Sequence, residues 1–342
     1  MSRYRSAVVL LCLFATCGAA SAQDKMASHF AGKTVRIVVG YPSGSGFDVY
    51  ARSVARHMGK HIPGGPTVIV QNMPGAGGLT SVAYMANVAP RDGLTLALIN
   101  PVNSTEPLLQ PEVAKFDSTK FKWLGSVNKD VQTCVFWTQK AKTADDMKNV
   151  ELILGATGPS SGSALDAKTL ASLLGFKFKI VMGYPGIADI RLAAERGEVD
   201  GHCGMPLAQI KTDIWEGFKS GRIRALIQIA TADYPELKGI PNAFDLAQTP
   251  DDRKILNLVF APWTYGRPML APPETPEITV AALRKAFDDT MKDPAFLAEA
   301  KQINLDVNPL DGAAVEKLVQ DLFATPKPLI ERTRTILGIG GK

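Results

Sequence analysis

Beyond its first two dozen residues the chain has no uninterrupted apolar run near the ~18 residues that a membrane-spanning helix needs. Histidine and cysteine are scarce, at four each. His29, His57, His61 and His202 stand at no ligand spacing to one another or to a cysteine, which argues against a metal site. Lys and Arg form no runs, and the formal charge of +5 falls to +3 without Arg3 and Arg5. So mild a balance gives nucleic acid no footing. The sequence has no Gly-x-x-x-x-Gly-Lys-Ser/Thr, and Gly44-Ser45-Gly46 lacks the third glycine of a dinucleotide fingerprint. No cofactor is therefore expected. With 46% hydrophobic and 21% charged residues, the composition is that of an ordinary folded protein.

Residues 1–22 read as an export signal. Arg3 and Arg5 form a positive start, Ala7 to Ala15 an apolar stretch, and Ala20-Ser21-Ala22 a cleavage site. Cleavage after Ala22 predicts a periplasmic protein of about 320 residues, enough for two domains. A lipoprotein reading would start the mature chain at Cys17, but Thr16 stands where Gly, Ala or Ser is usual. Export removes Cys12 and Cys17 and leaves Cys134 and Cys203, both on apolar strand-like segments. An oxidising compartment allows them to pair; two buried free thiols are the alternative.

Two glycine-rich loops carry most of the functional information. Val35 to Val39 runs into Gly40-Tyr41-Pro42-Ser43-Gly44-Ser45-Gly46-Phe47-Asp48 and then a helical stretch, Val49 to Met58. Thr67 to Val70 runs into Gln71-Asn72-Met73-Pro74-Gly75-Ala76-Gly77-Gly78, then Leu79 to Val88. A strand, a loop of small residues and a helix start together present backbone N–H groups to an anion. A third loop, Gly155 to Ser163, follows Leu152-Ile153-Leu154 and offers Thr157, Gly158, Ser160 and Ser161. Gly183-Tyr184-Pro185-Gly186 adds an aromatic wall with a polar tip. Asp48 either orients a ligand group or only caps its helix, and Phe47 either lines the pocket or packs beside it.

Apolar strand-like runs alternate with amphipathic helical stretches, which predicts an α/β protein with largely parallel sheets. Expected strands include Leu94–Ile99, Cys134–Trp137, Leu152–Gly155, Lys179–Val181 and Ala225–Ile229. Expected helices include Ala164–Leu174, Ile187–Arg196, Pro276–Lys292 and Ala313–Leu337, with Gly175 and Gly197 as stops. Proline-rich breaks near residues 100–130 and 234–273 suit two crossings between domains. They predict a discontinuous first domain, 23–128 plus 262–342, and an inserted second one, 129–261. Ligands in such folds bind between domains, outside strand C-termini.

These residues resemble the solute-binding receptors of tripartite tricarboxylate transporters, the Bug-type periplasmic proteins. The resemblance rests on Tyr41 to Asp48 with Ala51-Arg52, on Asn72-Met73-Pro74-Gly75-Ala76-Gly77-Gly78, and on Pro90-Arg91-Asp92-Gly93 before a strand. Gly155 to Ser163, Tyr184 to Gly186, Gly197-Glu198-Val199-Asp200 and Ala271 to Pro276 extend it over the chain. It departs at Ser45, where the family usually has Gly, and at Phe47, where a small residue is common. The family's Asp after the Tyr-x-Gly falls near Ala193, with Asp189 one turn earlier.

The resemblance implies a type 2 periplasmic-binding fold whose two α/β domains close on a ligand in the cleft between them. It implies a small organic carboxylate held by loop amides, hydroxyls and waters, and Phe47 tilts that ligand toward an apolar or aromatic body. It also implies delivery to a large and a small integral membrane subunit, with the receptor acting as a monomer. Presentation of the ligand to a two-component sensor is the alternative. A remote enzymatic reading takes Gly158-Pro159-Ser160-Ser161-Gly162 as a serine-hydrolase elbow. Only His202 follows Ser160, so a triad has little to work with.

Overall fold

The computed structural model describes residues 24–158, 161–230 and 234–339. The export signal with its Ala22 cleavage, and Ser160, lie outside the described residues. The strands fall into two sheets. The first contains β1 (Thr34–Val39), β2 (Thr67–Asn72), β3 (Thr95–Leu98), β4 (Lys122–Ser126), β10 (Pro268–Ala271) and β11 (Leu310–Asp311), in the order β11-β4-β10-β3-β1-β2. The second contains β5 (Gln132–Phe136), β6 (Leu152–Ala156), β7 (Phe178–Met182), β8 (Gly201–Pro206) and β9 (Arg224–Ile229), in the order β7-β6-β8-β5-β9.

Both sheets are mixed, which corrects the expectation of largely parallel ones. β1 pairs in parallel with β2 and β3, and β6 with β7 and β8. β10 and β11, by contrast, pair antiparallel, as does β5 with β8 and β9. Parallel pairing needs a helical crossover returning the chain to the same edge. β5 and β10, each entered from the other sheet, have no such crossover and run the opposite way.

Each sheet is covered on both faces, so its central strands are buried even where they carry polar residues such as Gln132, Thr133 and His202. Helix α1 (Gly46–Met58) buries Tyr50, Ala51, Val54 and Met58 on one face of the first sheet, against Ile37 and Val39. Helix α2 (Leu79–Asn87) buries Val82 and Met85 on the other, with Val38. In the second sheet α3 (Gly162–Leu174) packs Ala167 and Leu170 over Leu154 and Phe136. α4 (Ile187–Glu195) buries Ile190, Ala193 and Ala194. Cys134 and Cys203 face each other across β5 and β8 and form a disulfide.

The chain crosses between sheets on two adjacent segments. Val127 N–H donates to the Arg267 carbonyl (3.1 Å), Gly266 N–H to that of Asn128 (3.0 Å) and Asp130 N–H to that of Trp263 (2.9 Å). Gly266 permits this approach, because a Cβ there would lie 2.7 Å from Asp130. A buried ion pair, Arg267 Nη1 to Asp130 at 3.4 Å, closes the crossing.

Three helices depart from the sequence expectation. α5 (Pro250–Phe260) and, beyond α6 (Glu277–Lys292), α7 (Pro294–Gln302) form where no helix was expected. The expected helix Ala313–Leu337 is two, α8 (Gly312–Phe323) and α9 (Lys327–Leu337), because Pro326 and Pro328 cannot continue a helix begun before them. α9 docks on the second sheet's helices: Lys168 Nζ donates to the Leu337 carbonyl at 3.1 Å, and Arg332 pairs with Asp252 at 2.6 Å.

Candidate functional site

Because β1, β2 and β3 are parallel and in register, Val39, Asn72 and Leu98 end side by side. Three loops therefore leave one edge of the first sheet: 40–45, 73–78 and 99–105. Gly155 and Ala156 pair likewise with Val181 and Met182, bringing 157–158 and 183–186 to one edge of the second sheet.

The first loop is internally locked. Asp48 is 1% exposed, and its carboxylate accepts from Gly44 N–H (2.8 Å), Arg52 Nε and Nη2 (2.8 and 2.9 Å) and Asn72 Nδ2 (2.8 Å). Asn72 Nδ2 also donates to the Tyr41 carbonyl at 2.9 Å, tying the end of β2 to the loop. Burial alone would raise the Asp48 carboxyl; hydrogen bonds from Arg52, Gly44 and Asn72 outweigh it and bring it down to about 2. Ser45 caps α1 by accepting from Asp48 N–H, and Ser43 Oγ lies 3.5 Å from the same carboxylate. Phe47 stacks on Tyr41, ring centres 4.7 Å apart, with the Arg267 guanidinium 4.4 Å from its other face. Its aromatic surface is thus used within the protein.

The second loop is open. Ala76 and Gly77 are exposed, and Ala76, Gly77 and Gly78 all have positive φ (47°, 64° and 98°). That conformation turns successive N–H groups to one side, a shape suited to an anion. No side chain caps α2 behind it. Gly78 is required by contact as well as by φ: a Cβ would lie 2.7 Å from Asn103 Oδ1 and 3.3 Å from the Tyr41 ring. The Gly77 carbonyl accepts from Tyr41 OH (2.8 Å) and Asn103 Nδ2 (3.3 Å). Asn100 Nδ2 in turn donates to Tyr41 OH at 2.7 Å. Burial raises the Tyr41 pKa, against that hydrogen bond and the nearby Arg267, and keeps the phenol protonated.

Across from these loops stands Ser161, which caps α3 by accepting from Ala164 N–H (3.3 Å) and donates to the Gly158 carbonyl (2.7 Å). Between the two sides lies a cleft of about 670 Å³. Of the residues singled out from sequence, Tyr41, Ala76, Gly77, Thr157, Gly158 and Ser161 line it. Its lining has one ionisable carboxyl, Glu106, and neither Lys nor Arg. A larger hollow, about 820 Å³, opens beside Phe244, Arg253 and Leu329 but receives none of the strand-end loops.

Several expected contacts lie outside this lining, each for a local reason. Ser43, Gly44, Asp48 and Asn72 are bound to one another, Ser45 and Gly46 begin α1, and Phe47 is stacked. Gly75 turns against Thr80, and Gly78 is buried beneath the loop it ends. Tyr184 leans on Gly155 and Ile190, and Gly186 starts α4.

Conversely, Leu79, Asn100, Val102, Asn103, Glu106, Gln110, Val113 and Gly162 complete the cleft and were not expected there. Most come from the proline-broken stretch after β3. An asparagine two residues past β3 and directly before a proline was the available signal, since Asn100 caps the turn that follows.

The hydrolase reading gains nothing. His202 is fully buried, with Nδ1 on the Cys203 carbonyl at 3.0 Å, and among the described residues Nε2 has no partner and no carboxylate orients the ring. Burial lowers its pKa to about 4. Among the described residues no group of His, Cys, Asp and Glu could hold a metal, and no helix is long and apolar enough to cross a membrane.

Comparison with known proteins places most of the chain. The family model described as "Tripartite tricarboxylate transporter family receptor" matches residues 50–335. A UPF0065 protein from the TAR-I ttuE-ttuC' intergenic region of Agrobacterium vitis is 26% identical over 330 residues, covering 94% of this chain and 88% of its own. Among solved structures, a TctC solute-binding protein from Polaromonas superposes with a TM-score of 0.68 at 21% identity, covering 88% of this chain and 99% of that one. R. palustris Rpa4515, solved with adipate, gives 0.64 at 20% identity over 90% and 98%. At such identities the structural likeness establishes the fold, the two-domain periplasmic-binding architecture.

Proposed function

The chain belongs to the tripartite tricarboxylate transporter receptor family, and from that premise we propose that it captures a small organic carboxylate in the periplasm and delivers it to a membrane transporter of that type. Family and fold are those of solute-binding proteins, which bind and release without chemistry. The observation that carries the reading is a cleft lined by exposed loop amides, hydroxyls and side-chain amides, with no Lys or Arg in its lining. Amides in fixed orientation can hold a carboxylate while leaving it free to depart, which a buried ion pair would hinder.

The proposed ligand contacts are the Ala76-Gly77 amides and Tyr41 on one side, with Thr157, Gly158 and Ser161 on the other. Asp48, Asn72 and Ser45 support the first side, and Ser160 belongs to the second loop by sequence. Closure would bring the two sides together about the paired crossing segments, between units 23–128 plus 262–342 and 129–261. Rpa4515 was solved with adipate, which sets an aliphatic acid as the first probe.

A thermal-shift screen of organic acids against their esters tests the proposal. An acid at a hundred times its Kd should add about 2.7 kcal/mol of stability, and its ester none. A flat response across the acids would defeat the receptor reading.

A further inference from the structure

We propose that Glu106 sets the ligand class: the cleft takes a carboxylate whose far end carries a hydrogen-bond donor, a hydroxyl or an ammonium, and disfavours dicarboxylates of equal length. This rests on the carboxylate-receptor reading above.

Asn103, Glu106 and Gln110 follow one another at three- and four-residue spacing along a helical segment, and all three line the cleft. Asn103 stands at the glycine loop, its amide on the Gly77 carbonyl. Glu106 is one turn further on, about 5 Å along the axis. A carboxylate seated on the Ala76-Gly77 amides would therefore extend its own chain past Glu106.

What that wall offers is an acceptor. Glu106 is buried, and its Oε2 accepts from Gln110 Nε2 at 2.7 Å, while Oε1 has no donor among the described residues. Asn103 Oδ1 is packed against Gly78 beneath the loop and is not presented to the cleft, which leaves Glu106 as the acceptor. A carboxylate with one oxygen unpartnered gains from a further donor, and a ligand hydroxyl or ammonium can supply it. No cation pairs with Glu106 among the described residues. Burial raises the Glu106 pKa, Gln110 opposes and Glu112 adds to the rise. A second ligand carboxylate would thus meet either a like charge or a carboxyl that must first take up a proton.

Isothermal calorimetry at neutral pH decides this, with succinate and adipate set against the hydroxy and amino acids of the same chain lengths. In the wild-type protein the donor-ended acids should bind at least about tenfold tighter than the diacids. In Glu106→Gln, checked for an unchanged melting temperature without ligand, the preference should collapse toward parity. Diacids binding as tightly as donor-ended acids in the wild type would overturn the proposal whatever the variant does. A preference surviving in a folded Glu106→Gln would overturn it too. If no acid of either series binds, the receptor reading itself falls, a result distinct from binding without preference.

Discussion

The loops after β1 and β2 look alike in sequence and are built differently. Both are glycine-rich, both follow a strand and both open a helix. Yet the first encloses a carboxylate of its own, Asp48, which takes up the loop's N–H, an arginine and an asparagine. The second contains no acceptor side chain, and its residues Ala76 and Gly77 stay exposed. An anion-shaped loop that already holds an internal anion is scaffold; one without is available to a guest. The side chain inside the turn, not the glycine count, makes the difference.

The contrast breaks most visibly at Asp48. Asp48→Ala leaves Arg52 and Asn72 without their shared acceptor and should cost about 3 kcal/mol of stability, read by chemical denaturation. Little loss would mean that the first loop is not locked by this residue. Acid should release the same lock more gently. The folded Asp48 carboxyl, at about 2, lies below its unfolded value of 3.8, so its contribution is full above about pH 4 and drains as pH falls through 2. That is about 2 kcal/mol, measured as the difference between wild type and Asp48→Asn in urea melts at pH 5 and about 2. Equal acid sensitivity in both proteins would remove Asp48 from the account.

The second loop should answer in binding more than in folding. Gly77 has open space around its Cα but a φ of 64°, so Gly77→Val meets backbone strain of about 1–2 kcal/mol and no clash. Relief of that strain would swing the amides out of line, and affinity for the acid identified by screening should fall at least about tenfold. An unchanged affinity would move the ligand elsewhere. Smallest is Tyr41→Phe, which removes the hydroxyl between Asn100 and Gly77 and should cost about 1 kcal/mol, divided between stability and affinity.

Much of this arrangement was legible in the residues. The runs Val35–Val39 and Thr67–Val70 gave their strands away, and Gly175 closes α3 in the left-handed conformation expected of a stop. The glycine loops were recognisable because little else needs so many small residues at a strand end. Their division of labour was not, since the Asp48–Asn72 bond joins residues 24 apart in sequence. Residues 101–113 read as a connector because Pro101, Pro107 and Pro111 look like breaks, whereas two of them begin short helical turns. α5 had its signal in view: Thr249 caps it and Pro250 occupies its first position. A proline count taken as loop content obscured it.

The docking of α9 on α3 and α5 has a consequence for biosynthesis. Ribosomes and export machinery deliver a chain from its amino end, so residues 129–261 emerge well before 327–337. Until that helix arrives, the faces of α3 and α5 that receive Leu329 and Leu337 stay uncovered. The second sheet can pair its strands early, but its apolar surface is sealed late. A newly made chain therefore passes through an interval in which a half-finished lobe is uncovered, and the length of that interval is set by the 65 residues, 262–326, in between.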